Sequence, residues 1–322
     1  MRSLFIKLIT AIQLTRLTMA FGAVSDVWFV ILVTQARPEH RGEVPVYDMN
    51  LAAALLAGAV VAVGLFAYGA ALNDVLDVRH DSAFSPDRPI PAGRIRLGQA
   101  IVVTVGALMV AVLAANALGT WALWLTLITA ATILFYNAAG RYIPSVGVGT
   151  IGLIHAAHML IPNYRLSLVL PVWLVMTHAM LIAIAVHRLQ DKRPRLSRQA
   201  FVVVGFGWVA WSAVLVAIGL LREGRLWPAD LSLWNLAIPL GAVIGFLAVA
   251  RWKTSHVSGR IAAEKLKRYG AMWQSLYGAS WLLALGLVTQ SLWITAFAVA
   301  GFAAMTLIKE VTGLSGRPIS YR

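Results

Sequence analysis

Apolar residues run along this chain in long blocks separated by short polar loops, many of them basic. The blocks neither alternate with period two nor confine their apolar residues to one helical face, so they read as helices that are apolar all round. A helix rises about 1.5 Å per residue and the hydrocarbon core of a bilayer is about 30 Å thick, so about 20 apolar residues cross it. Blocks of suitable length fall at about 11–33, 50–77, 99–118, 121–137, 146–162, 168–188, 199–221, 231–252, 270–289 and 292–310. The pattern predicts an all-α, polytopic membrane helical bundle, with residues 1–322 forming a single transmembrane domain. The fourth and fifth blocks are short and flanked by glycine. The first continues through Trp28-Phe29-Val30-Ile31, beyond the apolar core of a signal peptide, so a retained helix is expected.

The 322 residues are 60% hydrophobic and 12% charged, with a mean hydropathy of +0.77, which excludes an ordinary soluble domain. Cysteine is absent, which removes disulfides, thiol catalysis and cysteine-based zinc sites. A net charge of +14 raises the question of nucleic acid, but the cations are not spread evenly. With the N-terminus placed on one side of the ten-block topology, every Lys and Arg shares that side except Arg37, Arg41, Arg165, Arg222 and Arg225. The positive-inside rule makes that side, with both termini, cytoplasmic. Charge so placed points to anionic membrane lipids as partners, not nucleic acid.

One polar stretch closes the second block: Asn73-Asp74-Val75-Leu76-Asp77-Val78-Arg79-His80-Asp81, followed by Ser85-Pro86-Asp87-Arg88-Pro89-Ile90-Pro91-Ala92-Gly93-Arg94. On a continuous helix of about 3.6 residues per turn, Asp74, Asp77 and Asp81 project from nearly one face. Carboxylates so crowded repel unless a hard cation neutralises them, and Mg²⁺ takes a few carboxylates together with water and phosphate oxygens. A single aspartate at a helix end would signify only solvation. Three on one stripe, beside a basic Pro/Gly-rich loop, point to a metal and diphosphate site.

Asn-Asp-x-x-Asp-x-x-x-Asp followed by Asp-Arg-Pro-x-Pro-x-Gly-Arg resembles, in order and spacing, the first signature of the UbiA superfamily of intramembrane prenyltransferases. The resemblance implies a bundle around a central cavity, usually of nine helices, so nine to ten transmembrane helices are expected here. It implies Mg²⁺-dependent transfer of a prenyl group from a polyprenyl diphosphate to a lipophilic acceptor. An aromatic acceptor is expected first; a quinone precursor, a tetrapyrrole, a glycerol phosphate lipid and a sugar phosphate all stay open. The resemblance gives Asp74, Asp77 and Asp81 to the metal, and Asn73, Arg88 and Arg94 to the diphosphate. Tyr136 and Arg141, which close the fourth block, resemble the family's tyrosine and following basic residue at the diphosphate; an interfacial anchor is the plainer reading.

The family's second acidic motif falls on Ala185-Val186-His187-Arg188-Leu189-Gln190-Asp191-Lys192-Arg193, where only Asp191 matches. The resemblance gives Asp191 to the metal and, with Asp74, Asp77 and Tyr136, to catalysis; His187 and Lys192 fall to the diphosphate. A neutral imidazole is a weak Mg²⁺ ligand, so a second metal position is expected to be weakened. A protonated His187 could instead meet a phosphate oxygen, and Arg188, Lys192 and Arg193 could share the neutralisation.

His155, His158 and His178 lie within apolar blocks. They could bind a transition metal or haem, line the pocket, or simply bridge helices as neutral rings. Asp26 could line the cavity or contact a neighbouring helix. Trp121, Trp124, Trp227 and Trp252 are expected as interface anchors. Residues 254–268 are expected to be a basic snorkelling loop, with a short interfacial helix as the alternative. Two rival functions fit the same residues: a membrane terpene cyclase, in which the prenyl cation closes on itself, and a transporter or lipid-binding protein using the acids for a coupling ion.

Overall fold

The computed structural model describes residues 10–314, so Arg2, Lys7, Arg317 and Arg322, on which the expected placement of the termini partly rests, lie outside the described residues. Among those described there is no strand. After a helical stretch over 10–15 come α1 (Phe21–Ala36), α2 (Leu51–Leu76), a short α3 (Val78–Phe84), α4 (Leu97–Leu118), α5 (Thr120–Ala138) and α6 (Pro144–Met159). Then follow α7 (Leu170–Leu189), α8 (Arg198–Glu223), α9 (Ala237–Thr254), α10 (Gly259–Ala284) and α11 (Val288–Leu314). Local sequence sets the ends. The side chains of Asn50 and Ser197 accept from Ala53 N and Ala200 N at 3.2 and 3.1 Å, satisfying first-turn donors of α2 and α8. Pro144 and Pro171 sit in the first turns of α6 and α7, where a missing N–H costs nothing.

Among the described residues, seven helical segments are long and apolar enough to cross a membrane: α2, α4, α5, α7, α8, α11, and α9 with the turn before it (Leu233–Thr254). This is fewer than the nine to ten expected. The shortfall has physical causes: α1 and α6 have only 16 residues each, and the 26-residue α10 opens with Arg260, Glu264, Lys265, Lys267 and Arg268. Those charges belong to a helix, not to the basic loop expected over 254–268. Ala262, Ala263 and Leu266 are buried, and Ala263 and Leu266 share a cluster with Val186 and Leu189 of α7, so packing on α7 holds the charged turns helical.

α1 is the central post. It packs against α2, α6, α10 and α11, with Phe29, Val30 and Ile31 wholly buried. One core joins it to α6, α7, α8 and α10; another joins it to α2, α4 and α5. α8 and α9 expose Val202, Phe206, Leu221, Leu240 and Ile244, an apolar flank of the kind lipid covers. Trp121, Trp124 and Trp252 are exposed, as anchors should be, whereas Trp227 is 9% exposed and donates to Leu231 O at 3.2 Å.

α2 packs extensively on α4, and Gly64 permits a close approach: a Cβ there would sit 2.9 Å from both Ala107 O and Ala111 Cβ. A backbone carbonyl cannot swing away, so Gly64→Ala is expected to cost about 1–3 kcal/mol. A clear fall in the thermal melting point in detergent is the expected reading; an unchanged melt would mean that the helices can part without cost.

Arg16, the stretch after α2, Arg141, the α7–α8 loop and the start of α10 share one end. At the other, Arg37 pairs with Asp230 at 3.2 Å and Arg165 with Glu43 at 3.6 Å.

Candidate active site

α2 does not run on through the acidic stretch. It ends at Leu76, Asp77 takes φ −87° and ψ 4°, and α3 restarts at Val78. This break splits the single stripe expected of Asp74, Asp77 and Asp81. Asp74 and Asp81, 4% and 2% exposed, converge on one atom, Arg88 Nη1, at 3.3 and 2.6 Å. Arg16 Nη2 adds a second cation to Asp74 Oδ1 at 2.9 Å. Asp77 takes a different partner. Arg141 grips both of its oxygens, with Nη1 donating to Oδ2 at 2.8 Å and Nη2 to Oδ1. Asn73 Nδ2 donates to the same Oδ2 at 3.1 Å and its Oδ1 accepts from Arg141 Nη1 at 2.9 Å, which closes the triangle. Arg141 also donates to Tyr142 Oη at 2.9 Å.

Of the other expected site residues, Tyr136 is half-buried in the fields of Arg141, Arg16 and Asp77. Arg94 turns to Gln13 Oε1 at 3.1 Å. Lys192 is exposed on the α7–α8 loop, and surrounding protein atoms, then the fields of Arg141, Arg16 and Arg88, push its ammonium below the ordinary lysine value. Asp191 does not join the other carboxylates. It is exposed, takes φ 44°, and is held by Arg195 Nε at 3.0 Å and by Arg193 at 3.6 Å. The hydrogen bond from Arg195 holds its carboxyl below the usual range. His187 donates from Nε2 to Pro194 O at 3.0 Å, bracing that loop. Asp191→Asn is therefore expected to change diphosphate release less than about twofold, as exposed ion pairs are worth little. A loss comparable to that of a buried carboxylate, in the same release assay, would count against this placement.

Two residues at the site were missed by the sequence reading. Arg16 carried only a topological signal, its place on the cation-rich side. Lys267, in the charged first turns of α10 ahead of its apolar stretch, was assigned to a snorkelling loop. Burial, then the fields of Lys192 and Arg16, hold its ammonium down to about 7.

The donors fit one Mg²⁺. A single arginine nitrogen already lies within reach of Asp74 and Asp81, so a cation at that place would meet both carboxylates, with Asp77 and Asn73 in the same chain turn. Asp191 points elsewhere, and among the described residues no group of three His, Cys, Asp or Glu is arranged to hold an ion, so Asp74 and Asp81 would supply that cation with two carboxylates. His155 and His178 bridge helices, whereas His158 is buried with its Nε2 lacking a partner among the described residues. Gln274 donates to His155 Nδ1 at 2.9 Å and His178 Nε2 donates to Gly270 O at 3.2 Å. Asp26 is 2% exposed on α1, and its Oδ2 has no partner among the described residues.

A helical bundle with membrane-length spans, gathering buried carboxylates and arginines at one end, is an integral membrane protein with a charged site at a membrane face. The chain belongs to the UbiA prenyltransferase family, whose family model matches residues 27–276. It is 31% identical over 136 residues to a digeranylgeranylglyceryl phosphate synthase of Methanosarcina barkeri (41% of this chain, 44% of that protein). It is 35% identical over 75 residues to one of Saccharolobus solfataricus (23% of this chain, 27% of that protein), so less than half of each relative is matched. A solved structure described as digeranylgeranylglyceryl phosphate synthase superposes with a TM-score of 0.51 at 18% identity, covering 92% of this chain and 99% of that one. A UbiA homolog from Archaeoglobus fulgidus gives 0.51 at 16% identity, covering 87% and 99%. Both likenesses concern the fold.

Proposed function

We propose that this protein transfers a prenyl group from a polyprenyl diphosphate to a lipophilic acceptor at the cytoplasmic face of the membrane, in a Mg²⁺-dependent reaction. The observation that carries the reading is the convergence of Asp74, Asp77 and Asp81 with Arg16, Arg88 and Arg141 at one end of an apolar bundle. Such a mixture can grip a metal-bound diphosphate, which neither charge sign alone could do. A bound Mg²⁺ would supply neutralising charge to the departing diphosphate. Arg88 and Arg141 would donate to its oxygens, Asn73 would orient Asp77, and Tyr136 would stand at the buried edge of the pocket. The allylic C1–O bond breaks with its electron pair leaving on the diphosphate. A nucleophilic oxygen or carbon of the acceptor then bonds to C1 and gives up its proton to water. The apolar bundle keeps water from the allylic centre meanwhile.

The curated relatives' shared name denotes a glyceryl phosphate product. It favours a glyceryl phosphate lipid as acceptor over an aromatic one. The test is diphosphate release by the purified protein from isoprenoid diphosphates of several chain lengths, with Mg²⁺ or EDTA, and with a prenylglyceryl phosphate or an aromatic acceptor supplied. Mg²⁺-dependent release with a conjugate of the glyceryl phosphate is expected. A cyclised hydrocarbon in the absence of acceptor would make the protein a cyclase, and no release under any condition would sink the transfer reading.

A further inference from the structure

We propose that the end of the bundle opposite the acidic site carries a pocket for the zwitterionic headgroup of a phospholipid, which sets its ammonium at Glu43 and its phosphate at the start of α5. The pocket stands apart from the prenyl-transfer site. It has a volume of about 240 Å³ and lies where the chain after α1, the α4–α5 turn and the α6–α7 connection meet. One water needs only ~10–15 Å³ of such space, so the cavity is sized for a ligand group. Its walls are held in place. Gly119 in the α4–α5 turn takes φ 118°, and a Cβ there would sit 2.9 Å from Pro45 Cγ, so the turn closes tightly on Pro45. Asn163, wholly buried, fixes the Tyr164 wall: its Nδ2 donates to Thr34 Oγ1 of α1 at 3.0 Å and its Oδ1 accepts from Arg165 N at 2.8 Å.

Glu43 is the charged residue among those lining the pocket. Its carboxylate faces two cations without closing on either: Arg165 Nη1 and His40 Nδ1 each stand 3.6 Å away, beyond the roughly 2.7–2.9 Å of a charge-assisted hydrogen bond. Trp121 and Tyr164, their ring centroids 5.0 Å apart, line the same space, and aromatic faces attract a cation. A carboxylate beside two such rings suits an ammonium. The complementary half is the start of α5. Gly119, Thr120, Trp121 and Ala122 all line the pocket, no side chain caps the helix and no acid stands in its first turn. Its first N–H groups and the helix dipole favour an anion there. Arg165, half-exposed and donating from Nε to Tyr164 Oη at 3.1 Å, adds a guanidinium beside it.

Opposite charges set this close together select a zwitterion. An anionic headgroup would satisfy the helix start and set a phosphate near the Glu43 carboxylate, with nothing to offer it in return. What runs down from the pocket selects a lipid over a free phosphoammonium compound. Trp121, Trp124 and Ile128 of α5, spaced i, i+3 and i+7, are all more than half exposed and form one apolar stripe. α5 is long and apolar enough to cross a membrane, so acyl chains would lie along this stripe while the headgroup stays at the interface, where Trp and Tyr belong.

The experiment titrates the full-length, delipidated protein in detergent with phosphatidylethanolamine, phosphatidylcholine or phosphatidylglycerol of identical acyl chains, and counts bound lipid by native mass spectrometry. Wild type is expected to hold one ammonium lipid about tenfold more tightly than phosphatidylglycerol, the size of one charge-assisted contact. Glu43→Gln should abolish that preference by weakening both ammonium lipids about tenfold while leaving phosphatidylglycerol unchanged. Trp121→Ala should weaken the ammonium lipids severalfold through the lost ring. The melting point and diphosphate release of Glu43→Gln are expected to match wild type, which separates this pocket from the site at the other end. Equal retention of all three lipids would mean an unselective lipid annulus and overturn the proposal. A wild-type preference for phosphatidylglycerol, or an ammonium preference that survives Glu43→Gln, would overturn it as well. Glycerophosphoethanolamine displacing the bound lipid at equal concentration would overturn the assignment to a lipid.

Discussion

Asp77→Asn is expected to lower kcat for Mg²⁺-dependent diphosphate release about 10³-fold, with little change in KM. The substitution keeps the side chain's shape, so Asn73 and Arg141 retain a partner, but it removes the negative charge that both Arg141 nitrogens grip. Loss of that charge weakens the hold on Mg²⁺, whose contribution grows as the leaving group takes on charge. The ground-state diphosphate loses less, because Arg141 becomes freer to donate to it. The kcat-against-KM split is the deciding reading, taken at saturating Mg²⁺ with the melting point as a control. A rise in KM with kcat intact would make Asp77 a ground-state binding residue only.

The helices were legible because lipid leaves a helix little choice: apolar blocks of about 20 residues can satisfy their backbone only by coiling. Their limits blurred where another force took over. The first turns of α10 are charged, and packing in a cluster with Val186 and Leu189 of α7 and Phe246 of α9 supports them as helix, a contact no local pattern reveals. α1 and α6 are shorter than their apolar blocks, so their ends could not be read from the extent of the apolar run.

The site was legible in its residue types and less so in its pairings. The motif named Asp74, Asp77, Asp81, Arg88 and Arg141, and these do share one end of the bundle. Periodicity put the carboxylates on one stripe because it assumed an unbroken helix, and the interruption at Asp77 divides them between two arginines. Arg16 and Lys267 arrive from elements distant in sequence, with no motif of their own. At Asp191 the letter matched the resemblance while the loop turned the side chain away; a spacing rule cannot register that reversal.

Arg88→Gln is expected to move metal and diphosphate affinity in opposite directions. Arg88 Nη1 lies between Asp74 and Asp81, at the place that a cation would take. Metal and arginine therefore compete, and removing the arginine should tighten Mn²⁺ binding about tenfold, the free carboxylates being otherwise unpaired. The same change removes a guanidinium from the diphosphate and should weaken substrate binding about 10- to 100-fold, the range for a lost charge-assisted contact. Stability gives a third sign. Two carboxylates buried to 4% and 2% exposure, with only Arg16 left on Asp74, should cost the metal-free variant about 3–5 kcal/mol, which Mg²⁺ should largely restore. If Arg88 were only a phosphate ligand, metal affinity would stay constant and Mg²⁺ would not rescue the melt. The joint outcome of tighter metal, weaker diphosphate and Mg²⁺-restored stability requires that Arg88 leave the carboxylates as the metal enters, carrying its charge from Asp74 and Asp81 to the substrate.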